Sequence, residues 1–356
     1  MGEKVLMKGN EAIGEAAIQA GCQCFFGYPI TPQTEVAAYM AKKMPKIGRV
    51  FIQAESEVAA INMVYGAAGT GVRCMTSSSS PGISLKAEGI SYIAGAELPC
   101  VIINIVRGGP GLGSIQPAQS DYFQATKGLG HGDYNMPVYA PASIQEMVDL
   151  IQDAFDVADM YRTPVMVMGD GMLGQMMEPV EFKEREKKSL PEKTWAANGL
   201  RGRKQHNVIN SLYLQSESLE EHNRKLQAKF AKIKQDEVKY ELFNCDEECD
   251  IIMVAYGTTS RICKNVIKLA AEEGIKLGLV RPITLWPFPV EAFEKVVDKA
   301  KLGFISVEMS AGQMVEDVRL AVNGRKPVDF YGRTGGIVPT PDEILNKIKE
   351  MVGGAK

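Results

Sequence analysis

The chain has little with which to build a metal centre. Its three histidines, His131, His206 and His222, are scattered, so a site made from them is not expected. No apolar run approaches the roughly 20 residues needed to cross a bilayer, and no membrane segment is expected. The first ten residues, MGEKVLMKGN, lack the apolar core of an export signal. Position 6 is Leu6 where an N-myristoylation signal wants Ser or Thr, which leaves a cytoplasmic protein as the expectation. No charge sign dominates: 40 Lys and Arg face 43 Asp and Glu, a net charge of −3. Nucleic acid is therefore not expected as a partner. Seven cysteines, at 22, 24, 74, 100, 245, 249 and 263, include no C-x-x-C-x-x-C run able to hold an iron–sulfur cluster. Cys22-x-Cys24 and Cys245-x-x-x-Cys249 each lack a second pair at ligand spacing. Free thiols are expected, and any iron–sulfur chemistry belongs to another chain.

What is present is alternation. At 356 residues the chain exceeds one typical core. Residues 1–180 read as repeated helix–strand units. Strands are predicted at Cys24–Phe26, Val50–Gln53, Val72–Thr76, Cys100–Val106 and Pro164–Met168, with helices at Glu55–Gly69, about Gly82–Ala96 and Ile144–Tyr161. Cys100–Val106 (CVIINIV) is wholly apolar, the mark of a parallel strand buried on both faces. In the turn Tyr28-Pro29-Ile30-Thr31-Pro32, Thr31 is predicted to cap the next helix with Pro32 at its first position. Residues 181–245 are charge-dense (FKEREKK, RGRKQH). They read as a connector whose amphipathic helix opens on a capping box at Ser218 and Glu221. Residues 246–356 form a second α/β unit, with strands at Ile251–Ala255, Lys276–Val280 and Gly303–Val307.

Four motifs carry chemistry. Gln53-Ala54-Glu55-Ser56-Glu57-Val58-Ala59-Ala60 puts two acids at a strand-to-helix junction, ahead of a helix rich in small residues (Gly66, Ala67, Ala68, Gly69). Taken alone, those acids need do no more than favour the helix N-terminus electrostatically. The Tyr28–Pro32 turn precedes them, and Thr76-Ser77-Ser78-Ser79-Ser80-Pro81-Gly82 and Arg107-Gly108-Gly109-Pro110 follow.

In this order and spacing the chain resembles the α subunit of 2-oxoacid:ferredoxin oxidoreductases, above all the branched-chain (2-oxoisovalerate) and 2-oxoglutarate types. The resemblance is close over 1–180 and looser over 246–356. It implies an α/β fold, in which a thiamine-diphosphate-enzyme pyrimidine-binding domain with a doubly wound parallel sheet precedes a transketolase C-terminal-like domain. It also implies the residue roles. A carboxylate at the cofactor's ring nitrogen N1′ matches Glu57, with Glu55 the neighbouring alternative. Pro29, Ser78 and Ser79 would line the cofactor. Thr31 would touch substrate, and Arg107 would grip its carboxylate, a task suited to a forked, permanently charged guanidinium.

The implied reaction is oxidative decarboxylation of a 2-oxoacid to acyl-coenzyme A and CO2, with electrons passing to ferredoxin. The implied partners are a β subunit sharing the thiamine diphosphate, γ and ferredoxin-like δ subunits, and ferredoxin. Magnesium and iron–sulfur clusters would sit on those partners, and this chain would pair with a second copy inside the complex. Gly169-Asp170-Gly171 with Asn198 imitates a magnesium–diphosphate signature, but Gly199 stands where a second asparagine belongs, so a structural role is expected. Lys86 and Lys127 are the extra cations near the motifs; a second substrate carboxylate would want one, and branched-chain acids are slightly favoured. Two other readings stay open: a transketolase-type transferase subunit, and a non-catalytic scaffold.

Overall fold

The computed structural model describes residues 4–183, 185, 186 and 188–354. Glu184 and Lys187 of the FKEREKK stretch, and the Met1–Gly2 start read for myristoylation, lie outside the described residues. Strand β1 (Lys4–Lys8) leads into α1 (Gly9–Gln19), β2 (Cys24–Gly27), α2 (Thr34–Lys43) and β3 (Val50–Gln53). Helix α3 (Glu57–Gly69), β4 (Cys74–Ser78), α4 (Ser80–Gly95) and β5 (Cys100–Val106) follow. Then come β6 (Val138–Tyr139), α5 (Ile144–Tyr161), β7 (Pro164–Asp170), the short α6 (Gly171–Gln175) and β8 (Met177–Glu181). The charged segment contributes α7 (Ser216–Asp236) and β9 (Tyr240–Phe243). The last part holds β10 (Ile251–Val254), α8 (Gly257–Glu272), β11 (Leu277–Pro282), β12 (Thr284–Trp286) and α9 (Val290–Val296). It ends with β13 (Phe304–Glu308), α10 (Met314–Val322), β14 (Val328–Gly332) and α11 (Pro341–Gly354).

A seven-stranded sheet in the order β12-β6-β7-β5-β4-β2-β3 is parallel from β6 to β3. β5 is buried along its whole length, as its unbroken apolar run requires. Its side chains alternate between two cores. Ile102 and Val106 face α3 and α4 with Ile61, Val64, Ile83 and Ile90, while Val101 and Ile103 face Ile13, Met40, Ile151 and Phe155. The chain leaves β2 for the neighbouring edge strand β3, then crosses back over β2 to β4 and on to β5. The loops after β2 and β4 therefore part on opposite sides of the sheet, the crevice where open α/β folds bind ligands.

The second sheet runs β14-β13-β10-β11-β9, parallel except for β9. Side-chain bonds join the two sheets. Arg281 of β11 grips Glu146 of α5 with two bonds of 2.8 Å and Glu241 of β9 at 2.7 Å. Gln119 bonds Tyr256, Thr259 and Met309.

Three local expectations need correction. Helix α2 starts at Thr34, with Gln33 and not Thr31 in the cap position. Helix α7 starts two residues before the Ser218 box, and its cap, Gln215, makes no side-chain bond. The third strand lies at Cys74–Ser78, two residues later than Val72–Thr76, so the serine run ends the strand and enters α4.

Candidate active site

Glu57 is the first residue of α3. Ser56 before it is extended, and its hydroxyl accepts the Ala59 N–H at 3.1 Å, a side-chain cap that starts the helix. The cap turns Glu57 inward, to 6% exposure, while Glu55 stays exposed. The carboxylate lies on the first turn of α4 at Gly82. A Cβ at Gly82 would stand 2.8 Å from Glu57 Oε1 and 2.0 Å from Ser78 Oγ, so a side chain here would displace both groups. Acid, glycine and serine meet at the C-terminal edge of the sheet, on the β4 side of the crevice.

The four serines divide. Ser77 Oγ donates to Gln33 Oε1 at 2.6 Å, and Ser80 Oγ exchanges bonds with the Arg107 backbone. Ser78 and Ser79 are fully buried, and neither hydroxyl has a partner. Buried hydroxyls without protein partners are uncommon, and these two are free to bond a ligand's polar atoms. Capping does not account for them, since the α4 cap, Ser79, makes no side-chain bond.

Arg107 is 8% exposed. Its Nη1 donates to the Thr31 carbonyl at 2.9 Å and Nη2 to the Leu112 carbonyl at 3.0 Å, while Nε has no partner. Among the described residues no carboxylate pairs with it. Two neutral carbonyls fix the fork and leave its charge uncompensated, a state suited to an incoming anion. Arg107 also ties the loops after β5 and β2 together, which places Thr31, exposed, at the rim with half-buried Pro29.

The sequence reading missed Gln33 and Gly82. Gln33 is fully buried with an unpartnered Nε2 at the same crevice, on the face opposite Glu57. Its only signal was its place directly after the Pro-rich turn. The two extra cations are not free. Lys86 is wholly buried, bonding Thr76 Oγ1 at 2.8 Å and the Ser77 carbonyl at 3.4 Å, and Lys127 pairs with Asp317 at 2.5 Å. Burial pulls the Lys86 ammonium down to about 8. Asp121, bonded by Asn104 at 2.9 Å behind the serines, is raised by burial. Asp170 caps α6, its carboxylate accepting the Met172 and Leu173 N–H groups.

Residues 15–241 match the family model described as pyruvate flavodoxin/ferredoxin oxidoreductase, thiamine diphosphate-binding. Residues 249–344 match the pyruvate:ferredoxin oxidoreductase core domain II. The chain is 50% identical to ketoisovalerate oxidoreductase subunit VorB of Methanothermobacter thermautotrophicus, over 98% of each chain.

The chain belongs to the 2-oxoacid:ferredoxin oxidoreductases.

Another relative in that family is 2-oxoglutarate synthase subunit KorA of Archaeoglobus fulgidus, 40% identical over 93% of this chain and 95% of that one. Among solved structures, the 2-oxoglutarate:ferredoxin oxidoreductase of Magnetococcus marinus was determined with 2-oxoglutarate, coenzyme A and succinyl-CoA bound. It superposes with a TM-score of 0.88 at 28% identity, over 99% of this chain and 66% of that longer one. An inactive β4 tetramer of a split-gene transketolase shares the fold alone, at a TM-score of 0.60 and 15% identity over 99% of each chain. The fold is thus a thiamine-enzyme pyrimidine-binding domain followed by a transketolase C-terminal-like domain, and the chain is an oxidoreductase subunit. The buried acid, the glycine cradle and the unpartnered serines fit thiamine diphosphate. No helix among the described residues is long and apolar enough to cross a membrane.

Proposed function

We propose that this chain supplies the aminopyrimidine half of a thiamine-diphosphate site that oxidatively decarboxylates 2-oxoisovalerate. The observation that carries the reading is the Glu57 carboxylate, buried against Gly82 at the sheet crevice. When bound, thiamine diphosphate supplies the carbon nucleophile for a 2-oxo group. Glu57 exchanges a proton with the ring nitrogen N1′, and the dry surroundings keep that exchange between the two groups. Pro29, Ser78 and Ser79 line the ring. Arg107 receives the substrate carboxylate through its unused N–H groups, and Thr31 orients the substrate beside it.

The branched-chain assignment is supported by identity, 50% to the ketoisovalerate subunit against 40% to the 2-oxoglutarate subunit. It is supported too by the cations: Lys86 is sealed beneath the strand and Lys127 is paired, which leaves Arg107 for one carboxylate. The rim exposes Tyr28, Ile52, Val58, Leu85, Leu112 and Ile115. So much apolar surface beside an open half-site supports covering by another chain. In this reading a β subunit holds the diphosphate and magnesium. The iron–sulfur clusters of the γ and ferredoxin-like δ subunits pass the electrons on to ferredoxin, coenzyme A takes the acyl group, and a second copy of this chain pairs within a cytoplasmic complex. The division at 180 and 245, into pyrimidine domain, connector and C-terminal domain, belongs to the same reading.

The test is the reconstituted complex with Glu57→Gln, assayed with 2-oxoisovalerate, 2-oxoglutarate and pyruvate, coenzyme A and ferredoxin. Loss of turnover in the variant, with 2-oxoisovalerate the best substrate of the wild type, is expected. Full activity in the variant would reduce the chain to a scaffold.

A further inference from the structure

Lys86 is an ammonium with no exposed surface, and its hydrogen bonds go only to the Thr76 hydroxyl and the Ser77 carbonyl. A charged lysine so placed costs stability, and another charge nearby can offset part of that cost. Two registers show which one does. Thr76 and Ser78 are alternate residues of β4 on one face, about 7 Å apart, and Ser78 touches the Gly82 cradle in which Glu57 sits. Gly82 and Lys86 are four residues apart on α4, just over one turn and about 6 Å along the axis. The ammonium therefore lies one layer beneath the Glu57 carboxylate. Glu57 is the charged group that acts on it from α3; Thr76 and Ser77, facing it from β4, are neutral. Neither Glu57 nor Lys86 has a direct ion-pair partner among the described residues.

We propose that Lys86 is a positioning residue that supplies the buried counter-charge for Glu57, so that the proton shared with the cofactor ring is set from below the sheet. The inference rests on the role proposed for Glu57. At an effective dielectric near 20, a unit charge one strand layer away, about 7 Å, is worth a change in rate on the order of 10- to 100-fold.

The test uses the assembled complex carrying Lys86→Met or Lys86→Arg, with rates followed from pH 6 to pH 10 and melting temperatures measured beside them. Wild type is expected to lose rate above about pH 8, where Lys86 sheds its proton. Lys86→Met should run about 10- to 100-fold slower, without that limb, and melt no lower than wild type at pH 7. Lys86→Arg, permanently charged, should hold the rate and lose the limb. If the arginine does not fit and the chain fails to fold, the methionine variant decides alone. A methionine variant with wild-type rate and an unchanged basic limb overturns the proposal. If Glu57→Gln is inactive in the same assay, only the Lys86 inference falls; if Glu57→Gln is also unaffected, the active-site reading falls with it.

Discussion

Replacing Gly82 by alanine separates a catalytic cradle from an ordinary helix position. The new methyl would stand 2.0 Å from Ser78 Oγ and 2.8 Å from Glu57 Oε1. Ser78 Oγ has no bond to lose and can turn away. Glu57 must withdraw by roughly half an ångström to reach ordinary contact, near 3.4 Å. Stability gains from alanine's helix propensity, about 1 kcal/mol over glycine, which offsets the local strain. The fold should therefore survive, with a melting temperature within a few degrees of wild type. Catalysis should not, because misplacing a reacting group by about 1 Å costs on the order of 100-fold. We expect kcat/KM for the 2-oxoacid to fall about 10- to 100-fold, measured as acyl-coenzyme A formed with ferredoxin as acceptor. A Gly82→Ala complex with wild-type kinetics would refute the claim that this contact sets the acid.

Arg107→Lys keeps the charge and loses the fork. KM for the 2-oxoacid should rise about 10- to 100-fold, the worth of a charge-assisted bond pair, in steady-state titrations. Arg281→Met strands Glu146 and Glu241 where the two sheets meet. Those partners are partly exposed, so we expect a loss of about 2 kcal/mol, discounted from the fully buried case, in denaturant melts. Lys86→Met should stabilise the chain most at neutral pH. Folding lowers the lysine from its ordinary 10.5 to about 8, and at 1.36 kcal/mol per pH unit its burial costs up to about 3 kcal/mol. Below pH 8 folded and unfolded chains are both protonated and the whole cost is present. Between 8 and 10.5 only the unfolded chain keeps the proton, so wild type recovers stability as pH rises. The gap between the two melting curves should close across that window; a constant gap would contradict the burial.

Much of this was legible in the residues because the strands obey a local rule. Val50–Gln53 and Cys100–Val106 stand where their apolar runs put them, and α5 spans Ile144–Tyr161 as its periodicity predicts. Cap positions were harder. Thr31 and Ser218 carry the right side chains for capping, but Arg107 takes the Thr31 carbonyl and α7 begins before Ser218. Tertiary bonds decided the first, and a tolerant, charge-rich surface helix the second. At the site, the acid pair was visible in the sequence; that Glu57 turns inward while Glu55 does not depends on the Ser56 cap. Gly82 and Gln33 were hidden because their roles come from what crosses over them. A glycine in a helix and a glutamine beside a turn say nothing of that alone. Lys86 looked like a pocket cation, and only the fold revealed that it points beneath the strand.

The central claim is that Glu57 works on the pyrimidine nitrogen of bound thiamine diphosphate. Exchange of the thiazolium C2 hydrogen for deuterium, followed by NMR after rapid quench in the reconstituted complex without substrate, reads that action before any later step. The account predicts that Glu57→Gln slows this exchange by two or more orders of magnitude, about what a positioned acid–base group contributes, while Glu55→Gln leaves it unchanged. Equal exchange rates in wild type and Glu57→Gln would contradict it.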